Sequence, residues 1–243
     1  MEQARRRELI ARVGITIGVD GPAGSGKSTV SKRVALDLGI GCLDTGAMYR
    51  ALTWYALDQG LDLGDHQAVA AAADVMPLVM DSHPEDPHVF IGEREITADI
   101  RTPRISEAVT SVSTNLEVRH WMAREQRRRM LAARASGSGM IAEGRDITTV
   151  VCPDADVRVL LLADPEARLR RRTQELYGDQ TEAHLAATRA QVEDRDAADS
   201  TVSEFLEPAP GVAVVDSSGL GIEQVVAQVL ALVDRNLVER TRS

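Results

Sequence analysis

Residues 15–29, Ile-Thr-Ile-Gly-Val-Asp-Gly-Pro-Ala-Gly-Ser-Gly-Lys-Ser-Thr, constrain this chain more than any other stretch. The apolar run from Ile15 to Val19 reads as a buried strand. Gly21-Pro22-Ala23-Gly24-Ser25-Gly26-Lys27-Ser28 follows it and fits the phosphate-loop pattern G-x-x-x-x-G-K-S/T. The glycines allow backbone torsions that a side chain forbids, so bared N–H groups can curl around phosphate oxygens. Val30, Val34 and Leu38 then recur at helical spacing. A helix is expected to open near Lys27, its positive end facing the same anion. Lys27 adds a mobile charge for the outer phosphates, and the Ser28 hydroxyl can ligate Mg²⁺. The segment is therefore expected to bind a nucleoside triphosphate through Gly21, Pro22, Ala23, Gly24, Ser25, Gly26, Lys27, Ser28 and Thr29.

The net charge of −9 argues against a non-specific grip on nucleic acid or on an anionic membrane. Any basic site must be local, which suits a small anionic substrate. No apolar stretch nears the roughly 20 residues of a membrane span. The start, Met1-Glu2-Gln3-Ala4-Arg5-Arg6-Arg7, lacks the features of a signal peptide, and its arginines read as a frayed, solvated tail. Cys42 and Cys152 are far apart and flanked by apolar residues, as buried thiols in a reducing cytoplasm would be. The five histidines show no metal-binding spacing.

Strands and helices alternate along the chain. Ile40 to Asp44 reads as a second strand, Met140 to Ala142 as a third, Val157 to Leu162 as a fourth and Val212 to Val215 as a last one. Thr45 is expected to cap the helix after the second strand. Asp164-Pro165-Glu166 opens a helix that carries Arg168, Arg170, Arg171 and Arg172 and stops near Gly178. Thr181 starts another, running out near Arg195 to Asp199. Residues 61–102 break the rhythm. Leu78-Val79-Met80 and His88-Val89-Phe90-Ile91 flank a turn and read as a small, partly β insertion. This pattern predicts an α/β fold with a parallel sheet and ligands at the C-terminal strand edge, where Asp20, the glycine loop and Asp44 fall.

Three arginine–carboxylate groups lie where strands or helices end: Asp44 with Arg50, Glu143 with Arg145 and Asp146, and Arg195 with Asp199. Phosphoryl transfer asks mainly for positioning and charge neutralisation. An acceptor that is itself a phosphate needs no strong base, so many arginines and no catalytic histidine are expected. Glu143, at the end of a buried strand, suits holding Mg²⁺ through water. A GTP switch would need an N-K-x-D guanine reader, and none is present.

These residues resemble the bacterial cytidylate (CMP/dCMP) kinases of the nucleoside-monophosphate kinase fold, over nearly the whole chain. The similarity rests on Asp20 to Thr29, Leu43-Asp44-Thr45-Gly46-Ala47-Met48-Tyr49-Arg50, Ile100-Arg101-Thr102, Glu143-Gly144-Arg145-Asp146, and Arg195-Asp196 with Asp199-Ser200. The resemblance implies a P-loop three-layer core over 1–60 and 111–243, a monophosphate-binding insertion over 61–110 and a lid over about 168–200. It implies ATP as donor with Mg²⁺, CMP and dCMP as acceptors, and a cytoplasmic monomer. Arg50 and Arg145 would take the acceptor phosphate. Thr110, Arg119 and Asp146 would contact cytosine, and Arg195 and Asp199 the ribose. Asp44 and Tyr49 belong to the same acceptor motif. Lys27, Arg145, Arg171 and Arg172 would be catalytic, the last two arriving with the lid; Ser28 and Glu143 would serve the metal. The sequence departs from the family at Val202, where arginine is usual, and at Thr148, where glycine is usual. A UMP-preferring or broad nucleoside-monophosphate kinase is the nearest alternative, and a non-catalytic nucleotide-binding regulator a more distant one.

Overall fold

Ile15–Asp20 forms β1, buried at every position because it lies between two parallel neighbours. These are β6 (Gly139–Gly144) and β7 (Val157–Leu162). β2 (Gly41–Asp44) extends the sheet beyond β6 and β8 (Ala213–Asp216) beyond β7, giving the order β2-β6-β1-β7-β8 with every pairing parallel. Such a sheet needs helices on both faces. The computed structural model describes residues 1–242; the side chains of Glu175, Ala190, Gln191, Glu193, Asp194 and Arg195 lie outside that description.

One face is covered by α2 (Lys27–Leu38) and α9 (Ile222–Arg242), whose Val30, Val34, Val226 and Val229 pack on Ile17, Val19, Val159 and Leu161. The other is covered by α3 (Thr45–Asp58), α4 (His66–Val75) and α6 (Leu116–Ala135). There Met48, Leu52, Val69 and Met122 pack on Leu43, Met140 and Ala142. The result is the three-layer α/β fold expected. Outside it, β3 (Leu78–Met80), β4 (Val89–Ile91) and β5 (Arg94–Glu95) form a small antiparallel sheet, followed by α5 (Pro103–Ser113). α7 (Pro165–Tyr177) and α8 (Glu182–Ser200) pack as a pair, capped by Asp164 and Thr181 as the sequence suggests.

Several expectations are corrected. The N-terminal arginines are no frayed tail. Gln3–Val13 is a helix, α1, that buries Leu9 and Ile10 against the core. Arg6 pairs with Asp234 at 2.7 Å and with Asp37 at 3.1 Å, and Arg7 donates to the carbonyls of Leu36 and Asp37 at the end of α2. Guanidinium groups there meet the negative end of a helix. The insertion is more helical than expected, since Asp65 caps the alanine-rich α4. Asp44, not Thr45, caps α3: its carboxylate accepts from the Ala47 amide at 2.8 Å, while the Thr45 hydroxyl donates to the Glu143 carbonyl at 2.7 Å.

Candidate active site

β1, β2 and β6 end level with one another, Asp44 standing opposite Glu143 in the register and Asp20 opposite Gly144. The phosphate loop leaves β1 at this edge and is packed too tightly for side chains at two positions. A Cβ on Gly21 would lie 2.2 Å from the Leu161 carbonyl oxygen, and one on Gly24, at φ 72°, 2.5 Å from that of Arg168. α2 starts directly after Gly26. Lys27 Nζ donates to the Pro22 carbonyl at 2.8 Å, which holds it over its own loop.

Ser28 Oγ donates to Glu143 Oε1 at 2.5 Å. Glu143 is buried, and burial, then the nearby Asp44 carboxylate, pushes its carboxyl above the usual range. Asp44 Oδ2 accepts from Arg50 at 2.9 Å, with Arg101 at 4.0 Å. Burial alone would raise its carboxyl, but Arg50, the Ala47 amide and Arg101 together bring it below the usual range. The buried Nε of Arg50 has no hydrogen-bond partner among the described residues, which leaves a donor for a ligand.

The segment after β6 fans out. The expected grouping of Glu143 with Arg145 and Asp146 does not form, because β6 ends at Gly144 and Arg145 and Asp146 lie on the segment beyond it, each with partners of its own. Glu143 turns to Ser28. Arg145 donates to the Gly21 carbonyl at 2.9 Å, pairs with Asp196 at 2.9 Å and Asp199 at 3.0 Å, and lies over the Phe205 ring. Asp146 pairs with Arg119, whose other donor reaches the Ser113 carbonyl at 3.1 Å. Burial raises the Asp146 carboxyl, with Arg119 opposing. Burial, and next the charge of Asp146, raise the nearby Tyr49 hydroxyl. Thr110 lies on α5, which packs against α8. On α7, Arg171 donates to Ser217 Oγ at 2.9 Å and to the Ser217 carbonyl at 2.7 Å, beside the phosphate loop; Arg172 is the next residue. The Arg195 side chain, expected to pair with Asp199, lies outside the described residues.

Sequence reasoning misses Asp196 and Arg168 as members of this cluster, and it misses the work of Asp20. Asp20 ends a strand where a ligand group is expected. It is 1% exposed and accepts instead from the amides of Ile147 and Thr148 and from the Thr148 hydroxyl, at 2.7–2.8 Å. This accounts for Thr148: its hydroxyl helps fasten the segment carrying Arg145 and Asp146 to β1. Burial pushes the Asp20 carboxyl up to about 6, against these hydrogen bonds. A carboxyl raised in the fold contributes stability that is full below about pH 4 and lost as pH rises through about 6. Relative to Asp20→Asn, the wild type is expected to lose on the order of 3 kcal/mol between those limits, since each tenfold change in proton affinity is worth about 1.4 kcal/mol. Urea denaturation of both proteins at pH 4, 5, 6 and 7 checks this; a constant difference would contradict it.

The loop, the parallel sheet and the arginine-lined edge define a P-loop phosphotransferase. Residues 17–235 match the family model described as cytidylate kinase. The chain is 41% identical over 225 residues to a cytidylate kinase of Streptomyces griseus, covering 92% of this chain and 94% of that one. It is 40% identical to one of Streptomyces avermitilis, over 96% of this chain and 97% of that one, and 43% identical to one of Cutibacterium acnes, over 90% and 96%. The chain belongs to the cytidylate kinase family.

Proposed function

We propose that the chain transfers the γ-phosphoryl group of ATP to CMP and dCMP. The observation that carries this reading is the placement of Arg50 and Arg145 at the same sheet edge as the phosphate loop, Arg50 with an unpartnered Nε and Arg145 on the Gly21 carbonyl. The loop amides and Lys27 hold the donor phosphates. Arg50 and Arg145 hold the acceptor phosphate, Arg171 and Arg172 neutralise the group in transit, and Asp146 accepts from the cytosine amino group. Uracil lacks that donor and carries a carbonyl oxygen in its place, which the Asp146 carboxylate repels, so the site discriminates against it. That contact separates this reading from a UMP-preferring kinase. Thr110 and Arg119 complete the base site, Arg195 and Asp199 the ribose site. Residues 61–110 act as the monophosphate-binding insertion and about 168–200 as a lid that excludes water.

Mg²⁺ fits the site. Ser28 and Glu143 present hard oxygen donors side by side, and a cation that keeps several waters and takes phosphate oxygens needs few protein ligands. When bound, it supplies charge neutralisation between the donor phosphates. Among the described residues no helix is long and apolar enough to cross a membrane. Cys42 and Cys152 are free and buried, and burial pushes their thiols up to about 12 and about 11. These features and the net charge of −9 support a cytoplasmic enzyme acting on free nucleotides, and we take it to be a monomer. ADP formation from ATP is expected to require both CMP and Mg²⁺. Equal ADP release without CMP, or full activity in excess EDTA, would contradict the reading.

A further inference from the structure

The Asp196 carboxylate sits among three donors. Oδ1 accepts from the Ala23 amide of the phosphate loop at 3.2 Å and ion-pairs with Arg145 Nη2 at 2.9 Å, and Oδ2 accepts from Arg168 Nη1 at 2.5 Å. The side chains of Asp196, Arg145 and Arg168 are each only 14% exposed. The same two arginines also donate to the loop carbonyls of Gly21 and Ala23, at 2.9 and 3.1 Å. A loop amide and two guanidinium groups converging on one anion is the donor set that suits a phosphate oxygen equally well. Here α8 fills it with a side chain of the chain itself.

Arg145 is fully engaged in this arrangement. Nη1 donates to the Gly21 carbonyl, Nη2 and Nε form ion pairs with Asp196 and Asp199, and the guanidinium lies over Phe205. An incoming phosphate can gain a bidentate contact with Arg145 only by taking it from a carboxylate. Asp196 is the carboxylate that also ties α8 to the loop and to Arg168 on α7.

We propose that Asp196 is a positioning residue: it holds Arg145 and Arg168 against the phosphate loop, and it yields Arg145 when the acceptor phosphate arrives. Acceptor binding is thereby coupled to the release of α8 from the donor loop, and the coupling is reciprocal. The inference rests on the reading of Arg145 as an acceptor-phosphate group. Because Asp196 competes with CMP for Arg145, removing its charge frees the competent state and tightens acceptor binding.

The test is the equilibrium Kd for CMP, measured by titration calorimetry on the full chain, in wild type, Asp196→Asn, Asp196→Glu, Arg145→Ala and the Asp196→Asn/Arg145→Ala double variant. Asp196→Asn is expected to lower the Kd by about threefold or more. Asp196→Glu, which keeps the charge, should stay near wild type, and Asp196→Asn should change nothing once Arg145 is gone. An unchanged or raised Kd in Asp196→Asn, while Arg145→Ala alone weakens binding tenfold, overturns the proposal and leaves the acceptor reading standing. An unchanged Kd in Arg145→Ala overturns both. If Asp196→Asn does not fold, Asp196→Ser is measured against the same outcomes.

Discussion

Replacing Lys27 with alanine is expected to lower turnover by about 10²–10³, the cost of losing one electrostatic donor aimed at developing charge. Lys27 is the first residue of α2 and is held over the loop by its contact with the Pro22 carbonyl. Val30, Val34 and Leu38 form the buried face of the helix. Truncating Lys27 therefore removes charge from the site without opening the core, and the thermal midpoint should hold. Measured kcat and thermal melting of the same preparation separate the two effects. Near-full activity in Lys27→Ala would mean that the loop does not hold the transferred phosphate.

Arg50→Ala is expected to lower kcat/KM for CMP by about 10²–10³, in keeping with the 2–5 kcal/mol lost when one partner of a buried charged pair is truncated. Two losses combine. The acceptor loses the unpartnered Nε and its charge, and Asp44 loses the guanidinium that, with its other partners, keeps it below the usual carboxylate range. The Asp44 carboxyl should rise accordingly, with only the more distant Arg101 left to oppose Glu143. The KM for ATP should change far less, because Arg50 is held by Asp44 at the start of α3 while the donor phosphates are taken by the loop and Lys27. An equal loss for both substrates would indicate collapse of the sheet edge rather than loss of an acceptor contact.

The parts legible in the sequence are those written in local pattern. The boundaries of β1 and β7, the caps at Asp164 and Thr181, and the phosphate loop follow from periodicity, capping chemistry and glycine spacing. The Asp44–Arg50 pair is legible because its members stand six residues apart on one strand–helix turn. α1 is not, since its apolar face is little more than Leu9 and Ile10 and its anchors, Asp37 and Asp234, are distant in sequence. The partners of Arg145 are hidden for the same reason: Asp196 and Asp199 reach it only through the packing of α8. Asp20 looks like a ligand group because it ends a strand at the binding edge, while its true partners, Ile147 and Thr148, lie on the segment that follows the neighbouring strand β6.

In the proposed reading this sheet edge is built for cytidine monophosphates. Initial rates with CMP, dCMP, UMP and AMP at matched ATP and Mg²⁺ test it most directly. The proposed contact of Asp146 with the cytosine amino group predicts that CMP and dCMP exceed UMP in kcat/KM by about 10² or more. A preference for UMP would contradict it.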